Sequence, residues 1–190
     1  MLRPLSKLAL SAAVASLSMT AWGQTLEEVV VTAQKRTESL QDVPISVTAI
    51  SGEQVATASI RSFSELGAYV PNFSVSENAV NTIISMRGIS VGANQSFEQS
   101  VGIFVDGVPY GRSRQARLGL FDLEQVEVLR GPQGIIYGKN TLAGAVNIRT
   151  AAPKVGEGLN GRLAASFESD NGKYFEGHIG TSLGLSLIHI

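Results

Sequence analysis

The sequence predicts an α+β domain of short interleaved strands and helices, followed by a long two-faced antiparallel hairpin. Three observations carry this. Short alternating segments between residues 43 and 150 are punctuated by helix-capping pairs. Asp106-Gly107 stands between two β-branched runs, a strong two-residue turn signal. From residue 161 to 183 the alternation becomes strict and long.

Residues 1–23 read as a secretory signal peptide. Arg3 and Lys7 precede an uncharged apolar stretch, and Ala21 and Gly23 are spaced for cleavage before Gln24. Residues 24–39 form a polar leader around Val29–Val31, with nothing nearby in sequence to bury that run; a segment that is flexible, or paired with something else, is expected. Residues 43–50 alternate as a half-buried strand. Ser51 with Gln54, and Ser62 with Glu65, are capping-box pairs that start short helices, and Gly67 and Pro71 stop the second. Thr82–Arg87 reads as a strand. Val101–Val105 and Val108–Tyr110 form a hairpin whose second strand lies at an edge because of Pro109. Asp122 and Gln125 predict one helical turn before Val126–Arg130 extends, and Ala145–Thr150 is a last small strand. The α+β domain spans 40–152, a normal domain size.

From 159 to 190 the pattern differs. Leu163, Ala165 and Phe167 share one face, and Arg162, Ser166 and Glu168 the other. Asp170-Asn171-Gly172 turns the chain. Phe175, Gly177, Ile179 and Leu183 then oppose Glu176, His178 and Ser182. This suits a membrane β-barrel wall and equally a soluble antiparallel hairpin. Two strands are marginal alone, so a truncated barrel is expected.

Composition removes several function classes. With 44% hydrophobic residues the chain is too apolar for a disordered protein. A net charge of −1 shows no basic excess for nucleic acid. Cysteine is absent, which excludes disulfides, thiolate metal sites and cysteine catalysis. Only His178 and His189 offer imidazole, so no metal site and no cofactor are expected. Gly131–Asn140 fails as a phosphate-binding loop, because Gln133 and Asn140 replace the required Gly and Ser or Thr. Gly180–Gly184 matches G-x-S-x-G by letter but lies in an alternating strand without the strand–turn–helix context. No enzyme is expected, and a periplasmic hydrolase lacks its catalytic set.

Several stretches occur in a recognisable order: EEVVVTA (27–33), VPISVTAISGEQ, SELGAYVPNF (64–73), ISMRGIS (84–90), VDGVPY (105–110) and VEVLRGPQGIIYGKNTLAGAVNI (126–148). Together they resemble the N-terminal part of a TonB-dependent outer-membrane receptor. The resemblance implies a plug domain over 40–152, seated in a barrel of about 22 strands whose first hairpin begins at 159. It implies energised uptake of a scarce nutrient, a ferric siderophore above all, at the outer membrane of a Gram-negative bacterium. The partners would be the TonB protein with its proton-driven complex, outer-membrane lipid and an iron chelate. A stand-alone periplasmic plug that binds without transporting is the alternative.

The resemblance also assigns residues. Glu28, Val29, Val30, Val31, Thr32 and Ala33 correspond to the TonB box, a β-branched run able to add as a strand to a partner's sheet edge. From the residues alone, without the resemblance, the first strand of the domain is the favoured reading. Arg87 and Arg130 would pair with barrel glutamates, or borrow a local acid such as Glu127. The outward loops supply ligand-facing candidates: Asn78, Asn81, Asn94, Gln95, Phe97, Tyr110, Arg112, Arg114 and Arg117. The arginine cluster suits an anionic chelate, or is a solvated basic turn.

Overall fold

The computed structural model describes residues 29–32, 35–79, 81–91, 98–152, 156, 158–167, 172–183 and 186–189. The signal-peptide reading, Glu28, Ala33, Asn94, Gln95, Phe97 and the turn at 170–171 lie outside them.

Two capping boxes set the N-terminal half. Strand β3 (Ser46–Ser51) runs into helix α1 (Gly52–Thr57), where the Ser51 hydroxyl accepts from the Gln54 N–H and the Gln54 side chain accepts from the Ser51 N–H. Helix α2 (Phe63–Leu66) is opened by Ser62 and Glu65 in the same way. Each box satisfies two otherwise orphaned donors. Gly52 is required by close approach, since a Cβ there would lie 1.7 Å from the Leu123 carbonyl oxygen.

The scaffold is a five-stranded mixed sheet in the order β3-β8-β9-β6-β7, formed with β6 (Val101–Val105), β7 (Val108–Tyr110), β8 (Leu123–Arg130) and β9 (Gly144–Thr150). Asp106-Gly107 closes the β6–β7 hairpin, with both residues at positive φ, and Pro109 falls on the edge strand. β9 is no peripheral strand. It is central, antiparallel to β8 and parallel to β6, and buried along most of its length. A separate hairpin joins β4 (Phe73–Glu77) to β5 (Thr82–Met86).

Alternation divides the sheet into two faces. One face presents Val126, Val128, Val146, Ile148 and Ile103 to the main core, under Ile60, Phe63, Leu66 and Met86. The other presents Leu129, Ala145 and Phe104, together with Glu127 and Asn147.

One expectation is corrected here. No helical turn forms at 122–125; Asp122 takes a left-handed φ of 51° and β8 starts at Leu123. Pairing with strands on both sides outweighs an isolated turn, whose nucleation is unfavourable. Of the two states open to the leader, the structure shows the paired one. β1 (Val30–Val31) pairs with β2 (Glu38–Ser39), and Val31, with no exposed surface, packs beside Leu129, Ala145 and Phe104. The sheet face that buries Val31 comes from residues about a hundred positions away, which local pattern does not reveal.

Strands β10 (Asn160–Phe167) and β11 (Lys173–Leu183) form the long hairpin, and β12 (Ser186–His189) adds antiparallel to β11. Its apolar face points away from the domain, with Leu163 85% and Phe175 65% exposed. Its polar face turns inward. The Arg61 guanidinium lies 4.2 Å from the centre of the Tyr174 ring and bonds the Ser166 hydroxyl, while His178 Nδ1 sits 3.0 Å from Asp122 Oδ1. Among the described residues no helix is long and apolar enough to cross a membrane, which leaves strands untouched by that test.

Candidate functional site

The docked leader is the most completely built site. Glu127 is buried at the middle of β8 with no exposed surface. Its Oε1 accepts from the Thr32 N–H at 2.6 Å and from the Thr32 hydroxyl at 3.1 Å. Its Oε2 accepts from Asn147 Nδ2 at 3.0 Å. Two residues back on the same strand face, Gln125 Nε2 donates to the Val30 carbonyl at 3.0 Å. Tyr137 flanks the seat and packs against Phe104 with the rings tilted at 52° and their centres 4.7 Å apart. Burial, with Glu127 nearby, pushes the Tyr137 phenol up to about 12, so it stays protonated at neutral pH. Glu127 is thus engaged by the leader and Asn147, and does not serve Arg87 or Arg130 as the sequence allowed.

Those two arginines converge from different elements. Arg87 holds a left-handed φ of 52° in the turn after β5, its N–H bonded to the Asn72 carbonyl at 2.8 Å. Arg130 ends β8, and Gly131 follows at φ 116°, a conformation that favours glycine. A Cβ on Gly131 would stand 3.4 Å from Arg87 Nη1, so the Arg87 guanidinium lies close to the glycine that follows Arg130. Arg130 Nε is buried and without a hydrogen-bond acceptor among the described residues.

The ligand-facing candidates separate into two groups. Asn81 is buried, at 3% exposure, and closes the β4–β5 turn: its N–H bonds Asn78 Oδ1 at 2.7 Å and its Oδ1 accepts from Ser113 at 3.2 Å. Arg117 ends a 3-10 turn at Ser113–Arg117 and reaches back to that hairpin. It donates to Thr82 Oγ1 at 2.9 Å and to the Asn78 carbonyl at 2.5 Å, with Glu77 at 3.9 Å. Asn81 is thus buried in the turn, and Arg117 braces the same loop while its side chain stays exposed. Asn78, Arg112 and Arg114 are exposed and Tyr110 is half-buried against the core. Among the described residues no group of three or more His, Asp or Glu side chains gathers to hold a metal.

The family model described as TonB-dependent Receptor Plug Domain matches residues 39–145. The chain belongs to this family. The pesticin receptor of Yersinia pestis is 35% identical over 127 residues, covering 65% of this chain and 19% of that receptor. The vitamin B12 transporter BtuB of Vibrio vulnificus is 29% identical over 150 residues, covering 77% of this chain and 24% of the transporter. The crystal structure of the ferric yersiniabactin uptake receptor FyuA from Yersinia pestis superposes with a TM-score of 0.66 at 29% identity, covering 73% of this chain and 22% of FyuA. The FpvAI–pyocin S2 complex, at a TM-score of 0.69 and 16% identity, covers 82% of this chain and 20% of its match, and shares the fold. The plug chain spans about a fifth of the length of the curated relatives it matches. Relatives named as outer-membrane proteins of Vibrio cholerae and Escherichia coli give the family its location, the Gram-negative outer membrane. The family's members are receptors and transporters rather than enzymes.

Proposed function

We propose that this chain is the leader, plug and first wall hairpin of a receptor that imports a ferric siderophore through the outer membrane. The observation that carries the reading is sidedness: a family plug lies against the polar face of a hairpin whose apolar face points outward. That is how a wall strand sits between lipid and a filled lumen. A stand-alone periplasmic plug has no use for Leu163, Phe167, Phe175 and Ile179 on an outer face.

In this reading residues 28–33 are the TonB box, and TonB grips their backbone by strand addition. Force on this leader rearranges the plug and opens a path. Arg87 and Arg130 anchor the plug to wall glutamates; the acceptor-less Arg130 Nε supports that role, since a buried guanidinium needs a carboxylate. Arg112 and Arg114, with Asn78, Tyr110, Asn94, Gln95 and Phe97, face the chelate. The siderophore is favoured because relatives named for yersiniabactin and ferrichrome receptors accompany these exposed cations.

The test deletes residues 28–33 from the full-length receptor. Energised uptake of ferric siderophore is abolished while its binding to cells is retained. Undiminished uptake overturns the reading.

A further inference from the structure

We propose that Arg117 is the positioning residue that joins two ligand-facing loops, the β4–β5 turn and the 110–117 loop, into one platform. The consequence for chelate binding rests on the siderophore reading above; the joining itself does not.

The two loops belong to different elements, and among the described residues no strand pairing links them. Side chains do. Arg117 Nε donates to Thr82 Oγ1 at 2.9 Å and its Nη2 to the Asn78 carbonyl at 2.5 Å. One planar guanidinium thus spans both ends of the β4–β5 turn, which a point charge on a lysine stem does not reproduce. The Ser113 hydroxyl adds a bond to Asn81 Oδ1 at 3.2 Å. Glu77, at 3.9 Å and solvent-exposed, adds little.

Each loop is also stiff in itself. The turn closes by the Asn78 N–H on the Asn81 carbonyl at 2.9 Å and the Asn81 N–H on Asn78 Oδ1 at 2.7 Å. In the other loop the Gln115 side chain accepts from the Arg112 N–H at 2.9 Å, and Ala116 is buried in the main core. What is left to fix is the relation between the loops, and Arg117 fixes it. Asn78 lies on one loop, Arg112 and Arg114 on the other, and all three are exposed. A chelate that touches both loops binds best when their separation is set beforehand. With the junction broken, only a fraction of receptors holds the competent arrangement, and apparent affinity falls by that fraction.

Spin labels on Ala79→Cys and Gly111→Cys report the distance between the loops in the full-length receptor without chelate. Both sites are exposed, a Cβ at Gly111 meets nothing within 4 Å, and these residues hold no native cysteine; any cysteine elsewhere is replaced by serine. The native receptor gives one narrow distance, and Arg117→Met, which keeps the stem without its donors, broadens it about twofold or more. Labels on Thr57→Cys and Val108→Cys, in α1 and β7, keep their native distance where the plug is folded. If they broaden too, Thr82→Val takes the place of Arg117→Met. A native spread between the loops in the variant so chosen overturns the junction.

Arg117 also carries a charge, so binding is read in a variant that retains it. Thr82 is 2% exposed, and Thr82→Val keeps its shape while removing the acceptor. With ferric yersiniabactin as the probe, Thr82→Val weakens binding about threefold to tenfold, and Thr82→Ser, which still accepts, restores it. Native affinity in Thr82→Val overturns the positioning role. Failure of the siderophore reading shows separately, as a native receptor that binds none of the probe, and the loop distances still decide the junction.

Discussion

In the plug, Phe63, Leu66 and Met86 are at most 1% exposed, whereas in the hairpin Leu163, Phe167 and Phe175 are 85%, 73% and 65% exposed. Both regions alternate apolar and polar residues, and both follow ordinary strand or helix periodicity. The plug turns its apolar side chains onto one another. The hairpin turns its polar side, with Ser166, Tyr174 and His178, onto the plug and offers its apolar side outward. Periodicity thus fixes which residues share a face, and the surrounding solvent decides which face is the inner one.

The sharpest way to break this contrast is to truncate one residue in each region. Phe63→Ala leaves a cavity in a sealed core and lowers plug stability by about 3–5 kcal/mol, read from the midpoint of chemical unfolding. Phe175→Ala, on the outward face, leaves that midpoint unchanged. A charge reverses the ranking: Leu163→Arg costs about 2–4 kcal/mol of membrane insertion if that face meets lipid, measured as the fraction of receptor recovered folded in the outer membrane. An equal recovery for Leu163→Arg and native protein would place that face in water.

Smaller effects sharpen the plug side. Ser51→Ala removes a capping side chain and lowers stability by about 1 kcal/mol in the same unfolding assay. Charge reversal at Arg112 and Arg114, both exposed, weakens binding of an anionic chelate. The last effect appears only at alkaline pH. Burial raises the Tyr137 phenol to about 12 in the folded state against an ordinary 10. The unfolded chain releases this proton first, so the contribution is complete below pH 10 and is lost as pH climbs toward 12. Tyr137→Phe removes that loss, seen as a flatter stability profile above pH 10.

Local signals were legible wherever the chain satisfies its own groups. Ser51 with Gln54, Ser62 with Glu65, and Asp106-Gly107 each name their element within four residues, and the structure keeps all three. The two faces of the hairpin were legible too, because alternation persists over many residues; their sidedness was not, since a soluble hairpin reads alike. Strand β4 escaped notice although Phe73 and Val75 alternate with Ser74 and Ser76, a short period-two signal next to a loop-like composition. What the sequence hid is what long-range packing decides. β9 is central because β6 and β8 both pair with it, and nothing within Gly144–Thr150 states that. At the leader, the valine run was visible but its seat was not, because Glu127 lies 95 residues from Thr32. The bonds by which Asn81 and Arg117 brace their turn were likewise hidden, because Ser113 and Thr82 lie more than thirty residues from them.

The most direct test of the account measures which solvent meets each face of the hairpin. Single cysteines at 163, 175 and 179, and at 166 and 176, are labelled with a fluorophore in the full-length receptor, in bilayers containing brominated lipid. The account predicts strong quenching at 163, 175 and 179 and little at 166 and 176. Equal quenching of the two sets, or quenching confined to 166 and 176, would contradict it.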